Sequence, residues 1–452
     1  MSLRRPVWIL HVFVVGLAVH NFAMAELYAA GVRGHALDVV SAWKEALLGL
    51  GIVIVLVERG NIRFRPAPVD WLAIAYGAVV VVYGGIPQHW LGGGATHHGV
   101  LLGVRHDLLP VAAYFFGRGL DLTVRDARKL GVTIIASAAA VAAFGLIDIY
   151  TIPLSWWRRS GAPGWFTHQL GFDYTGLSGL PENFIYNTGN EHPLRRLVSV
   201  FLSPLASSYM FVTALLLTAA WRLNLRPRLA IWVPTVALLF AGLLWTHSRS
   251  SYIALALGLV VFALLRPQWR WELIGGAVAV AAVGFVFVKA YPHIAPVTSF
   301  TKTELAEQIK EAHSPGAVPA VGSSGLEDAS TTSHLRNLRD GIRTVLDHPQ
   351  GYGPGNAGST AARTKVTIRA GESTYTELGV DTGIVGGLLF VAWSLAALIR
   401  IRRCTAWLTA AMVAVFALAL QTDMIGVPWI VFVLWPLVGW RISHPEDITP
   451  QT

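Results

Sequence analysis

The feature that most constrains this chain is a series of apolar runs, each close to the roughly 20 residues a helix needs to cross the hydrocarbon core of a bilayer. They fall at about 7–24, 39–57, 69–85, 100–117, 130–150, 198–220, 229–246, 250–265, 273–290, 379–399, 405–421 and 424–440. With 54% of its residues hydrophobic and only 13% charged, a chain so patterned is not an ordinary soluble enzyme. The expected fold class is an all-α polytopic membrane protein of about 12 transmembrane helices, with residues 1–452 forming a single transmembrane domain.

The formal charge of +9, from 35 Lys and Arg against 26 Asp and Glu, would in a soluble protein raise nucleic acid as a partner. Topology accounts for it better. If Met1 is cytoplasmic, one set of connections holds Arg4, Arg5, Arg59, Arg63, Arg65, Arg118, Arg125, Arg128, Lys129, Arg222, Arg226, Arg228, Arg266, Arg270, Arg400, Arg402, Arg403 and Arg441. The short connections at 25–38, 86–99 and around 422 hold only Arg33. Basic residues stay on the cytoplasmic side, so both termini are expected there. Two long segments, 151–197 and 291–378, are expected outside. The first span leads through Asn21, Phe22 and Met24 into Glu26 without a small-residue cleavage site, and reads as a retained helix. Cys404 is the only cysteine, which excludes a disulfide within the chain and a thiolate metal cluster.

The first external segment, with Trp156, Trp157 and Trp165 among Gly and Pro, has a composition suited to the headgroup region, and is expected to lie on the membrane rather than to pack as a domain. The second is too long for a simple connection, and segments of that size are usually functional or disordered. It opens with a short polar helix expected over 301–312 and continues through a Gly-, Ser-, Pro- and Ala-rich stretch over 314–333 that reads as flexible. An amphipathic helix is expected over 334–348, where Leu335, Leu338, Ile342, Val345 and Leu346 form an apolar stripe with Arg336, Arg339 and Arg343 beside it. Pro349 stops it, and Gly351, Gly353, Gly355 and Gly358 follow.

Charges at a membrane edge are costly, so each needs a partner or a use. Arg196 precedes the sixth span, Arg249 sits in the turn between the seventh and eighth, and Glu372 lies just before the tenth. On this topology all three face outside at similar depth and surround one site. Two guanidiniums at an apolar boundary repel unless an anion lies between them, and a diphosphate suits their planar donors. Taken singly, each arginine also fits snorkelling to headgroup phosphates. Arg336 and Arg339 are either a solvated helix face or further diphosphate-binding residues. Glu372 is a candidate general base, its pKa raised by desolvation and lowered by nearby arginine, or else an ion-pair partner or helix cap. His97, His98, His168, His192, His247 and His334 have no metal-site spacing. No nucleotide-binding Gly-Lys-Ser/Thr loop or dinucleotide fingerprint is present in the sequence.

Several patterns, in order, resemble the O-antigen ligase and polymerase superfamily. They are Trp43-Lys44-Glu45, the run from Gly103 through Arg105-His106-Asp107, Arg196-x-x-Ser199-x-Phe201-x-x-Pro204, Ser248-Arg249, and His348-Pro349 with Gly353 and Gly355. In ligases of that family a last motif reads His, then Ser, Asn or Gln, nine residues, Gly, two residues, Gly. Here Ser373 is followed at that spacing by Gly383 and Gly386, and Glu372 stands where the histidine would be.

The resemblance implies a helical glycosyltransferase of the GT-C type in the bacterial inner membrane, its site facing outside and its large external loop between spans nine and ten. It implies transfer of a glycan from an undecaprenyl-diphosphate carrier to an acceptor hydroxyl, as polymerase or ligase, with membrane lipids as surroundings and no metal, cofactor or nucleic acid. Arg196 and Arg249 would hold the diphosphate and Glu372 would serve the acceptor, these three forming the expected catalytic set. The alternative is a polytopic transporter or lipid flippase, which inverted repeats and broken helices would favour. Neither is evident in the sequence.

Overall fold

The computed structural model describes residues 6–58, 66–172, 179–186, 192–225, 227–306 and 329–445. The expectations resting on Arg4, Arg5, Arg59, Arg63, Arg65 and Arg226 lie outside these residues. So do those for the end of the polar helix after 306 and for most of the Gly/Ser-rich stretch.

The order is α1 (Val7–Ala29), α2 (His35–Ser41), α3 (Trp43–Glu58), α4 (Pro68–Gly85), α5 (His97–Arg118), α6 (Val124–Thr151) and α7 (Leu154–Arg159). A hairpin of β1 (Ile185–Tyr186) and β2 (Leu194–Arg195) follows. After it come α8 (Pro204–Leu225), α9 (Leu229–Trp245), α10 (Arg249–Leu265), α11 (Arg270–Ile294), α12 (Ala329–Asp347), α13 (Gly358–Arg363), α14 (Thr374–Ile401), α15 (Ala406–Leu418) and α16 (Pro428–Ser443). Seven of these helices, α1, α4, α5, α6, α8, α11 and α14, are long and apolar enough to cross a membrane, and the pair α2 and α3, bent by 44°, makes an eighth if counted as one span. The other apolar segments anticipated in the sequence are α9, α10, α15 and α16, which are helical but only 17, 17, 13 and 16 residues long.

Where lipid gives helices no hydrophobic reason to associate, small residues let backbones approach. α5 and α16 use this device. A Cβ on Gly117 would stand 2.1 Å from the Pro436 carbonyl, and one on Gly439 would stand 2.2 Å from the Tyr114 carbonyl. A buried polar set closes the same interface. Arg118 grips Asp70 of α4 through two hydrogen bonds of 2.8 Å, Tyr114 donates to the same carboxylate at 2.6 Å, and Arg118 reaches Ser443 at 2.6 Å. The arginine counted as a topological marker is thus also a fully partnered strut among α4, α5 and α16.

The segment after α6 corrects the expectation that it merely rests on the membrane. Trp156 is 39% exposed, but Trp157 is fully buried and Trp165 nearly so. They form, with Phe166, Leu180, Phe184 and Ile185, a second apolar cluster seated on Met24 and Ala25 of α1. The reason is tertiary: the Trp157 indole donates to buried Asp148 at 2.8 Å, and Arg195 pairs with that carboxylate at 3.6 Å while donating to the Ile152 carbonyl at 2.7 Å. Composition does not reveal such partners.

Two further points differ. α12 begins at Ala329, so residues 329–333, expected to be flexible, belong to the helix. And α14 is a broken helix: Gly383 has φ 68°, ψ 178° in its interior. The glycines behind Pro349 explain the break. Tyr352 donates its amide to the Val380 carbonyl at 2.6 Å, and Ile384 donates to the Pro349 carbonyl at 2.9 Å. The inserted loop thereby satisfies backbone groups that the broken turn releases, as buried backbone in a membrane requires.

Candidate functional site

Arg196 follows the hairpin and precedes an irregular entry into α8. Ser199 (φ 51°) and Leu202 (φ 54°) are both left-handed, Ser199 is buried and donates to the Val141 carbonyl at 2.8 Å, and Phe201 packs in the core. That entry aims the half-buried Arg196 at the turn between α9 and α10, where its Nε donates to the Thr246 carbonyl at 2.9 Å. In that turn His247, itself at φ 48°, stacks on Tyr291 at 4.1 Å and meets Tyr186 edge-on at 4.5 Å. Arg249, in the first turn of α10, is electrostatically coupled to Arg196. Burial lowers the Arg196 guanidinium from its ordinary value; the phenols of Tyr291 and Tyr252 work against that, and Arg249 adds to it. The two arginines foreseen as a pair are therefore together, in a shell of tyrosines at one end of the bundle.

Glu372 has different neighbours. It is exposed, holds φ 68°, and its Oε2 lies 2.6 Å from His334 Nδ1 on α12. Burial of part of the side chain raises its carboxyl, but hydrogen bonds from His334 and Asn337 outweigh this and hold it below the usual range. The expectation that arginine would do this is corrected: the cause is an imidazole and an amide brought in by α12. Gly341 against Thr376 and Val345 against Gly379 seat α12 on α14. Arg336 and Arg339 are exposed on α12, as are Leu335, Ile342 and Leu346 of the apolar stripe.

A hub connects the arginine pair to the start of α14. Ser251 bonds both Ser248, beside Arg249, and Ser208 of α8, at 2.7 and 2.8 Å. The next residue of α8, Tyr209, bonds Thr422 in the turn between α15 and α16. Thr374 donates to the Thr422 carbonyl at 3.0 Å and accepts from the Met424 amide at 2.8 Å, while Ser373 donates to the Ala419 carbonyl at 3.3 Å. Glu372, immediately before these two, is thus anchored to the same turn as α8, whose Ser208 bonds Ser251 of the helix that carries Arg249.

The same turn reaches a cavity that sequence reasoning did not single out. Its volume is about 310 Å³, and its lining includes Lys44, Arg105, His106, Arg363, Ser359 and Thr360. Lys44 donates to the Ser41 carbonyl at 2.8 Å and lies 3.5 Å from Glu45, which Arg105 also engages through Nε at 3.1 Å. Burial lowers the Arg363 guanidinium, and neighbouring Arg105 lowers it further. Its Nε donates to the Leu170 carbonyl at 3.0 Å. His106 bridges Asp107 at 2.9 Å and Asp423 of the hub at 3.0 Å. Lys44 and Arg105 share the Glu45 carboxylate, and with Arg363 on the same lining the cations outnumber it, which makes an anion-accepting wall. The signal was present, since Lys44 and Arg105 stand inside two of the patterns that carried the resemblance. Spacing along the chain does not show that they converge.

The loop behind α12 holds these parts in register. His348 bonds the Leu91 carbonyl at 2.8 Å and stacks on Tyr352 at 4.0 Å, and a Cβ on Gly103 would stand 2.4 Å from the Gly355 amide. The Gly-x-Gly stretch is therefore a backbone contact between α5 and the segment leading to Glu372. A family model described as O-antigen ligase matches residues 234–391. That segment holds Arg249, His334, the loop from Pro349 to Gly355, Glu372 and Gly383, and leaves Arg196, Lys44 and Arg105 outside it. No curated protein matches the chain.

Proposed function

We propose, from the match of residues 234–391 to a family model described as O-antigen ligase, that this chain is a membrane glycan-transfer enzyme and takes its glycan from an undecaprenyl-diphosphate carrier. The glycan passes to an acceptor hydroxyl, in polymerisation or ligation of a cell-envelope polysaccharide. The observation that carries this reading is the Arg196 and Arg249 pair. Two coupled guanidiniums with tyrosines around them are stable beside one another when a multivalent anion sits between them. A diphosphate leaving group meets that need and develops negative charge as the anomeric C–O bond breaks, so the same donors that bind it stabilise the transition state.

The cavity lined by Lys44, Arg105 and Arg363 supplies a second anion-accepting surface across the hub. It fits an acceptor that is itself carried on phosphate. The proposed topology has about twelve crossings in a GT-C-type arrangement in the bacterial inner membrane. α9, α10, α15 and α16 serve as short spans, both termini are cytoplasmic, and the site lies on the external face. What supports it is the distribution of basic residues, since the short connections at 25–38, 86–99 and around 422 hold only Arg33.

The broken α14 and the bent α2–α3 pair favour a second reading, since interrupted helices are used by transporters to build binding sites. One experiment separates the two. The purified full-length chain is given undecaprenyl-diphosphate glycan with a panel of acceptors, and glycan transfer with carrier release is measured. Transfer is the expected result. No product across the panel, together with movement of the intact carrier across vesicles, would replace the enzyme by a flippase.

A further inference from the structure

The first residue expected to take the acceptor proton was Glu372, yet its carboxylate is already engaged. His334 Nδ1 lies 2.6 Å from its Oε2, and Asn337 also bonds it. A carboxylate so satisfied is a weak base. An imidazole whose Nδ1–H is held by a carboxylate is a different object: its tautomer is set and its Nε2 carries the lone pair.

We propose that His334 is the general base toward the acceptor hydroxyl and that Glu372 is its positioning residue. The proposal rests on the glycan-transfer reading above. Three observations carry it. The pair is accessible, with side chains 36% and 45% exposed. Glu372 is a non-glycine residue held at φ 68°, a conformation that persists only where surrounding contacts impose it. Those contacts are present: the Thr374 amide donates to the Ala419 carbonyl at 3.0 Å, and Ser373 Oγ reaches the same oxygen. Third, the two residues arrive from different elements. Close packing of Gly341 on Thr376 fixes α12 against α14 and hence the imidazole against the carboxylate. His106 of α5 has both ring nitrogens on carboxylates and so offers no free lone pair.

The step balances without a metal or redox partner. The acceptor O–H bond breaks and its proton goes to His334 Nε2. The acceptor oxygen bonds to the anomeric carbon, and the C–O bond to the diphosphate breaks with its electron pair leaving on the lipid diphosphate. The imidazolium then returns its proton to solvent. Among the described residues, Glu372 is the titratable group paired with the imidazole.

The test uses the full chain in the transfer assay, with undecaprenyl-diphosphate glycan as probe. His334→Gln retains an amide donor toward Glu372 but has no basic nitrogen. It is expected to keep donor binding and KM while kcat falls about 100-fold or more, the usual contribution of a general base. His334→Ala is expected to fall as far and to regain part of its kcat with added imidazole. Glu372→Gln, which keeps a polar partner for the imidazole but removes the charge, is expected to lose less, in kcat and with KM retained. Wild-type kcat in a folded His334→Gln protein overturns the proposal while leaving glycan transfer intact. Absence of transfer in the wild-type chain overturns the reading beneath it.

Discussion

The Pro349 carbonyl accepts the Ile384 amide at 2.9 Å, and an ideal Cβ on Gly383, the residue before, would stand 2.8 Å from that same carbonyl oxygen. The loop behind α12 is wedged into the break of α14 and admits no side chain there. Gly383→Ala therefore combines a left-handed φ with a backbone clash. It is expected to destabilise the protein by about 2 kcal/mol or more, read as a lower unfolding temperature in detergent. A neutral effect would mean that the loop does not enter the helix.

The arginine pair is predicted to matter through the geometry of its donors as well as its charge. Arg196→Ala and Arg249→Ala should each reduce transfer by about 100-fold or more, the scale seen when a charge-stabilising donor is removed from a transition state. Arg249→Lys, which retains the charge and loses the planar fork, should fall between wild type and Ala. Initial rates and donor binding on the same preparations decide it. Wild-type turnover in either alanine variant removes that residue from the site.

For the cavity, the expectation is a binding phenotype. Replacing Arg105 or Arg363 by Gln should raise KM for a phosphate-bearing acceptor with little change in kcat, and should flatten the salt dependence of KM, since rim charges act over a screened range. A variant that leaves KM and its salt dependence unchanged would show that the acceptor does not enter there.

Glu372 predicts a pH response of stability. Its carboxyl is held below the usual range in the folded protein, so it contributes stability above its unfolded pKa of about 4.3 and loses it as pH falls through the folded value. Side-chain exposure of 45% keeps the effect small. Thermal unfolding of wild type and Glu372→Gln should therefore differ at pH 6–7, with the difference shrinking as pH falls below about 4.3 and through the depressed folded value. A constant difference across that range would assign the effect to packing.

Asp70 and Arg118 offer a test of the frame itself. Their doubly bonded pair is buried, and removing one partner of such a pair costs about 3–5 kcal/mol because the other charge is stranded. Asp70→Asn should lower the unfolding temperature sharply, while Asp70→Asn with Arg118→Met should recover part of the loss. Equal stability of the single and double variants would argue against the strut.

How much of this was legible in the sequence differs by element. The apolar runs located the helices because burial in lipid demands long uninterrupted apolar stretches. Arg196 and Arg249 were recognisable because charge at an apolar boundary is conspicuous. The Trp157–Asp148 and His334–Glu372 pairs were not, since each joins elements that only packing brings together.

What the sequence by itself determined, then, is a chain of apolar helices with two arginines and a carboxyl at helix ends, because hydrophobic length and isolated charge are properties of neighbouring residues. What the tertiary structure decided is which groups face one another. α12 on α14 gave Glu372 an imidazole, the turn after α15 tied that pair to the arginines, and α3, α5 and α13 gathered Lys44, Arg105 and Arg363 around one cavity. Hydrogen bonds and Coulomb interactions depend on distance in space, and residues 38 or 60 positions apart, as in His334–Glu372 and Glu45–Arg105, acquire that distance only when the helices pack.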